Sequence, residues 1–103
     1  MKIPRKSQYP QKIKVNKVLY TIVFVDQIEG KDTLGLCDFE LKVIFIKNKQ
    51  KPTETFKTFI HEFLHAIEFE FNCGLEHSLI YKFEESIAKA LYDNIKEGIF
   101  KSQ

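Results

Sequence analysis

The chain lacks the features of an exported or membrane-inserted protein. None of its apolar runs approaches the roughly 18 residues that a membrane-spanning helix needs, and its basic N-terminus leads into more charge rather than into the apolar segment of a secretory signal. Only two cysteines, Cys37 and Cys73, are present. We therefore expect a cytoplasmic protein with reduced thiols, a bridge between the two cysteines being the alternative.

The chain also has little net charge, which is +2 with a pI near 8.5. This value does not favour a nucleic-acid partner. Residues 1–25 nevertheless contain six basic residues and no acidic one. We interpret residues 1–11, which also carry two prolines, as a flexible basic arm that is solvated rather than bound to an anionic surface.

Neither an internal repeat nor a linker is visible in the 103 residues, so we expect one domain over residues 12–97 and a short tail at 98–103. Ile13 and Val15 are followed by a β-branched and aromatic run at 18–25, with a turn at Asn16-Lys17 between them. A second extended stretch opens at Gly35 and includes the apolar residues 41–46. Strands so close in sequence pair most simply antiparallel.

Two helices are predicted after the strands. The first begins at Pro52-Thr53, with Thr53 as N-cap, and ends near Phe71 before Asn72-Cys73-Gly74. The second begins at Glu76 or Ser78, ends at about residue 97, and returns antiparallel over the first. The predicted fold is therefore α+β, a small antiparallel or mixed sheet of two to three strands packed against both helices.

The first helix carries His61-Glu62-Phe63-Leu64-His65. On a helix this spacing places two imidazoles one turn apart on one face, where they can hold one Zn²⁺, and Glu62 projects beside the metal as a general base for a bound water. The apolar residues of this helix gather on another face, at about 100° per residue. A metal cleft accounts for two histidines that point away from the core.

Residues 58–67 resemble the extended consensus of the zincin metallopeptidases, with an uncharged Thr58 three residues before the first histidine and hydrophobic Ile67 at the end. The order of strands, motif helix and second helix resembles the minimal gluzincins and small phage-type metallopeptidases. This resemblance implies one zinc ion per chain and a metalloendopeptidase that hydrolyses peptide or protein substrates, with the zinc-bound water activated by Glu62.

The resemblance also implies a third ligand. In metzincins a glycine stands three residues after the second histidine and a further histidine three residues later. This chain has Glu68 and Phe71 at those positions, so it does not resemble the metzincins. Gluzincins use a glutamate on a second helix with 18 or 19 residues between it and the second histidine, which are the positions of Glu84 and Glu85.

Helical periodicity favours Glu84 as ligand, because it falls within the apolar sector of the second helix and a buried carboxylate needs a partner. Glu85 points toward lysines. His77 is the remaining candidate, since zincins resembling the SprT group use a later histidine. It is otherwise a candidate transition-state stabiliser, a role for which Tyr81 and Tyr92 compete.

A working peptidase is the main prediction, with the substrate paired as an added strand along residues 41–46. The alternative is a zinc-bound but latent or non-proteolytic interaction module, its cleft occupied by the basic arm, by Phe100 or by a partner. Exposed strand edges in so small a domain make a homodimer a further expectation.

Overall fold

A computed structural model describes residues 6–30 and 32–96, with residues 91–96 described through their backbone alone. After a 3₁₀ turn at Lys6–Gln8 the elements are β1 (Lys12–Val15), β2 (Val18–Val25), β3 (Gly35–Asp38), β4 (Val43–Lys47), α1 (Pro52–Glu70) and α2 (His77–Lys96). The predicted α+β class is confirmed. The sheet has four strands in the described part of the chain, where two to three were expected.

The first two strands form the predicted hairpin. Asn16 and Lys17 both have positive φ, 50° and 69°, as a two-residue turn requires when its twist must match that of the strands. β1 pairs antiparallel with β2, so that Val15 lies opposite Val18. The Asn16 side chain donates a hydrogen bond to the backbone oxygen of Glu70, 2.9 Å away, and so ties the hairpin to the end of α1.

The additional strand arises because residues 35–47 form two strands instead of one. Asp38 Oδ1 accepts hydrogen bonds from the backbone N–H groups of Glu40 and Leu41, and Lys42 has a φ of 58°. These interactions turn the chain and pair β3 antiparallel with β4. The strand order is β1-β2-β4-β3, which leaves β3 at an edge.

β2 and β4 are parallel, so the sheet is mixed. This confirms the mixed alternative of the predicted sheet, whereas the simplest expectation, that all neighbouring strands pair antiparallel, is wrong. Residues 26–34 connect β2 to β3, which lies at the sheet edge and not next to β2. The following turn then returns β4 between β3 and β2. β3 runs opposite to β2, and β4 runs opposite to its hairpin partner β3. β4 therefore runs in the same direction as β2, beside which it lies.

α1 has well-defined ends. Pro52 occupies its first turn together with Glu54, but Lys51 is the N-cap, so the assignment of Thr53 to that position was wrong. At the C-terminal end Asn72 has a φ of 52°. The N–H groups of Asn72 and Cys73 donate to the oxygens of Phe69 and Glu68, the pattern of a Schellman cap. The predicted stop at residues 72–74 is confirmed.

α1 packs on the sheet with one side and on α2 with another. The sheet side encloses a cluster built around Tyr20, Ile44, Ile46 and Ala66. A second cluster joins α1 to α2, its buried members being Tyr9, Phe56, Ile60, Leu64, Ile80 and Ala88. The broad apolar face of α1 is therefore divided between two partners rather than placed wholly on the sheet.

Two phenylalanines that helical periodicity places on the apolar faces of the two helices are exposed. Phe71 is 54% exposed and Phe83 is 42% exposed, whereas Ala88 of α2 is buried. In the N-terminal segment predicted to be an arm, Tyr9 is buried, with its ring edge-on to Phe24 and Phe59. Residues 1–5 and the predicted tail at 98–103 lie outside the described residues.

Candidate metal centre

Three histidines converge where α1, α2 and β3 meet. His61 and His65 lie one turn apart on α1, and His77 is the first residue of α2. Nε2 of His61 is 3.2 Å from Nε2 of His65 and 3.2 Å from Nε2 of His77. The ligand atoms of the three residues lie within 4.8 Å of one another, close enough to hold one metal ion.

Carboxylates contact the opposite nitrogens of two of these rings. Glu84 Oε1 lies 3.2 Å from Nδ1 of His61, and Glu68 Oε1 lies 3.4 Å from Nδ1 of His65. A carboxylate that accepts a hydrogen bond from Nδ1–H fixes the tautomer in which Nε2 is the free acceptor. Both rings therefore present Nε2 to the space shared with His77.

The environment also favours the neutral imidazole that metal binding needs. Burial lowers the pKa of His61, and the neighbouring His77 lowers it further. Burial is also the largest effect on the pKa of His65 and lowers it, against the opposing effect of the hydrogen bond with Glu68.

Glu62 lies beside the histidines beneath the edge strand. Its side chain is 7% exposed, and burial, followed by the charge of Glu84, raises its pKa to about 7. Gly35 of β3 passes directly over it: a Cβ on Gly35 would lie 2.9 Å from Cγ of Glu62 and 2.7 Å from Cγ2 of Thr58. The absence of a side chain at residue 35 thus lets the strand approach this carboxylate.

A cleft of about 720 Å³ contains the three histidines and Glu62. One wall is formed by β3 and the residues before it, and the other by α1 and α2. The ring of Tyr81, 56% exposed, stacks on His77 at 4.9 Å and lies 5.1 Å from the ring of His61. Because β4 is an interior strand, the sheet edge that borders this cleft is β3 and not the predicted stretch 41–46.

The structure brings together His61, Glu62, His65 and His77 in this cleft. Glu84, predicted to be the third ligand, also lines the cleft, but the described group of mutually close ligand atoms comprises the three histidines without it. Glu84 is half-buried and Glu85 is exposed, in agreement with the helical periodicity.

Sequence reasoning missed Glu68 and Gly35. Glu68 stands three residues after His65 on the same helix, a spacing at which side chains meet. That spacing could have identified it. The role of Gly35 depends on the path of β3 and has no local signal.

Cys37 borders the cleft from β3 as a buried free thiol, and Cys73 is a free, exposed one. Burial, together with the charges of Glu62, Glu70 and Asp38, raises the pKa of Cys37 to about 12. The Cys37 thiol is therefore protonated at neutral pH, and the structure contains no disulfide between Cys37 and Cys73.

Comparison of the chain with protein-family models, with curated proteins and with solved structures finds no match. Among the residues described, no helix has the length and apolar character to cross a membrane. The geometry of the cleft is therefore the basis for inferring what the chain does.

Proposed function

We propose that this chain is a zinc-dependent metalloendopeptidase whose metal ligands are His61, His65 and His77. The supporting observation is the spacing of their Nε2 atoms. Tetrahedral zinc with Zn–N bonds of about 2.0–2.1 Å places nitrogen ligands about 3.3 Å apart, and two of the separations here are 3.2 Å. Three neutral imidazoles are a donor set that suits zinc and leaves a fourth position for water.

Zinc in this site would supply an acidified water and polarise the carbonyl group of a substrate. Glu62 is the chain's own proton carrier: its carboxylate accepts a proton from the attacking water and delivers it to the departing amine. In the zinc-free chain burial, followed by the charge of Glu84, raises the pKa of Glu62 to about 7, and the positive charge of a bound zinc ion would lower this pKa and so favour the carboxylate that accepts the proton.

Two other features support a peptide as substrate. The free edge of β3 borders the cleft, and an extended peptide can pair with such an edge through its backbone. Tyr81 lies against His77 and His61 with its ring exposed to the cleft. Its hydroxyl is our candidate for donating a hydrogen bond to the oxyanion, since the proposal assigns His77 to the metal.

The test combines metal analysis with peptide cleavage. Wild-type protein purified with zinc should contain one zinc per chain and cleave casein or quenched fluorescent peptides. Glu62→Gln should retain the zinc but lose cleavage, because an amide has the shape of the carboxylate without its basicity. Equal cleavage by both proteins would reveal a contaminating protease.

Two outcomes separate the proposal from its rivals. A wild-type chain that cannot take up zinc contradicts the metal site. A chain that binds one zinc tightly, yet cleaves none of a broad peptide library, contradicts the peptidase and supports the latent or non-proteolytic interaction module.

A further inference from the structure

We propose that Glu68 is a positioning residue that aligns two metal ligands at once, His65 directly and His77 through the connection between the helices. The inference deepens the proposed function and rests on it. Glu68 would not touch the metal. Its two carboxylate oxygens contact different parts of the chain, and each of those parts leads to a different ligand.

The first contact is with His65. Glu68 Oε1 lies 3.4 Å from Nδ1 of His65, one turn away on α1. Both side chains are about three-quarters buried, with 25% of His65 and 27% of Glu68 exposed. A carboxylate held against Nδ1 restricts rotation of the ring and keeps Nε2 directed toward His61, which is 3.2 Å away.

The second contact is with the chain that leads to His77. Glu68 Oε2 accepts a hydrogen bond of 2.7 Å from the backbone N–H of Leu75, two residues before His77. Among the described residues, this is the one hydrogen bond that a backbone N–H of residues 74–76 donates to α1. Together with packing of the Leu75 side chain against the cluster between α1 and α2, it holds the chain where it crosses from α1 to α2.

The position of His77 depends on this crossing. Residues 72–74 and 76 are exposed, and no atom lies within 4 Å of where a Cβ of Gly74 would be. Packing of these exposed residues therefore does little to hold the connection in place. Since α2 begins at His77, a shift of Leu75 displaces the third imidazole relative to the other two.

The natural control is Glu76. It is an exposed glutamate on the same connection, and only its backbone oxygen makes described hydrogen bonds, with Leu79 and Ile80. Glu76→Ala therefore removes the same charge from the same region without removing the two contacts of Glu68. A difference in zinc affinity between Glu68→Ala and Glu76→Ala therefore reports the loss of the two contacts of Glu68 rather than the loss of a negative charge.

The experiment measures zinc affinity by competition with a chromophoric chelator. Loss of a carboxylate that supports a metal-bound histidine typically costs roughly 10–100-fold in metal affinity. We expect a loss at the upper end of this range in Glu68→Ala and no change in Glu76→Ala. Glu68→Gln should fall between them, since one amide oxygen can accept from His65 or from Leu75 but not from both.

A double-mutant comparison tests the connection to His77. If Glu68 acts partly through that ligand, Glu68→Ala should weaken zinc binding less in a His77→Ala background than in the wild type. Equal effects in the two backgrounds would overturn the proposed route through Leu75 and His77.

Amide hydrogen exchange in the zinc-free protein provides a readout that needs no metal. Glu68→Ala should accelerate exchange at Leu75 and leave amides in the middle of β2 unchanged. Unchanged exchange at Leu75, or wild-type zinc affinity in Glu68→Ala, overturns the inference. Failure of the wild type to bind zinc instead overturns the proposed function, and the positioning role with it.

Discussion

Glu84 lies against the nitrogen of His61 that faces away from the other two histidines. Its Oε1 is 3.2 Å from Nδ1 of His61, whereas Nε2 of the same ring is the atom that approaches His65 and His77. A carboxylate in this position supports a ligand ring and does not compete with it for the metal.

The first prediction follows from this difference in position. Glu84→Ala should weaken zinc binding by roughly 10–100-fold, as loss of a supporting carboxylate does, and His77→Ala should weaken it more, because a ligand atom is lost. Glu85→Ala should bind zinc as the wild type does, since Glu85 is exposed. Chelator competition ranks the three variants. The reverse order, with Glu84→Ala more damaging than His77→Ala, would make Glu84 the third ligand.

The second prediction concerns Gly35, the glycine over the proposed general base Glu62. In Gly35→Ala the new methyl group would lie 2.7 Å from Cγ2 of Thr58 and 3.0 Å from Oε2 of Glu62, so β3 or the carboxylate must move. We expect a loss of stability of about 1–3 kcal/mol, as for other overpacked sites. Peptide cleavage should be impaired while zinc affinity is retained, because the residue does not contact the histidines.

Gly74→Ala is the matched control for this variant. A Cβ there meets no atom within 4 Å, so stability and cleavage should remain at the wild-type level. Urea denaturation and cleavage assays measure both properties. Wild-type cleavage in Gly35→Ala would show that the position of Glu62 tolerates a shifted edge strand.

The predictable parts of the fold are those with local causes. The hairpin turn at Asn16-Lys17 and the stop at Asn72 were found from residues that tolerate positive φ. The direction of β4 could not be found in this way. It depends on how residues 26–34 cross the sheet edge, and no short-range pattern encodes that path.

In the site, too, the sequence predicted the features that have local causes and not those that depend on how the helices pack. The pair His61 and His65 follows from helix geometry alone, and periodicity correctly indicated that Glu84 is the more buried of Glu84 and Glu85. The choice between Glu84 and His77 required the angle between two helices, which the connection at residues 73–76 determines.

The third prediction concerns the two thiols. Cys37 is buried with a pKa raised to about 12, and Cys73 is exposed. The thiolate is the reactive form, so at pH 8 a disulfide reagent such as Ellman's should modify Cys73 rapidly and Cys37 only on the timescale of unfolding. Cys73→Ser should remove the fast phase and Cys37→Ser the slow one. Two fast phases in the native protein would mean that β3 opens readily.

The last prediction concerns acid stability at the far end of α1. Glu70 accepts a hydrogen bond of 2.5 Å from the hydroxyl of the fully buried Tyr20 and one of 2.7 Å from Lys42 Nζ. The hydrogen bond from Lys42 is the largest cause of the lowered pKa of Glu70, followed by that from Tyr20. The native state therefore stabilises the ionised carboxylate, which ties the end of α1 to β2 and to the turn before β4.

The sign of the pH effect follows from the direction of this shift. A carboxylate whose pKa is lower in the folded state contributes stability that is present above its ordinary value of 4.5. This stability is lost as the pH falls through the lower folded value.

The free energy of unfolding of the wild type, measured by urea denaturation of the zinc-free protein, should therefore decrease between pH 5 and the acid limit. Glu70→Gln should be less stable at pH 7 and show a shallower decrease. Glu40→Gln, at an exposed glutamate in the turn before β4, should follow the wild-type curve. A Glu70→Gln curve parallel to that of the wild type would mean that another carboxylate controls acid unfolding.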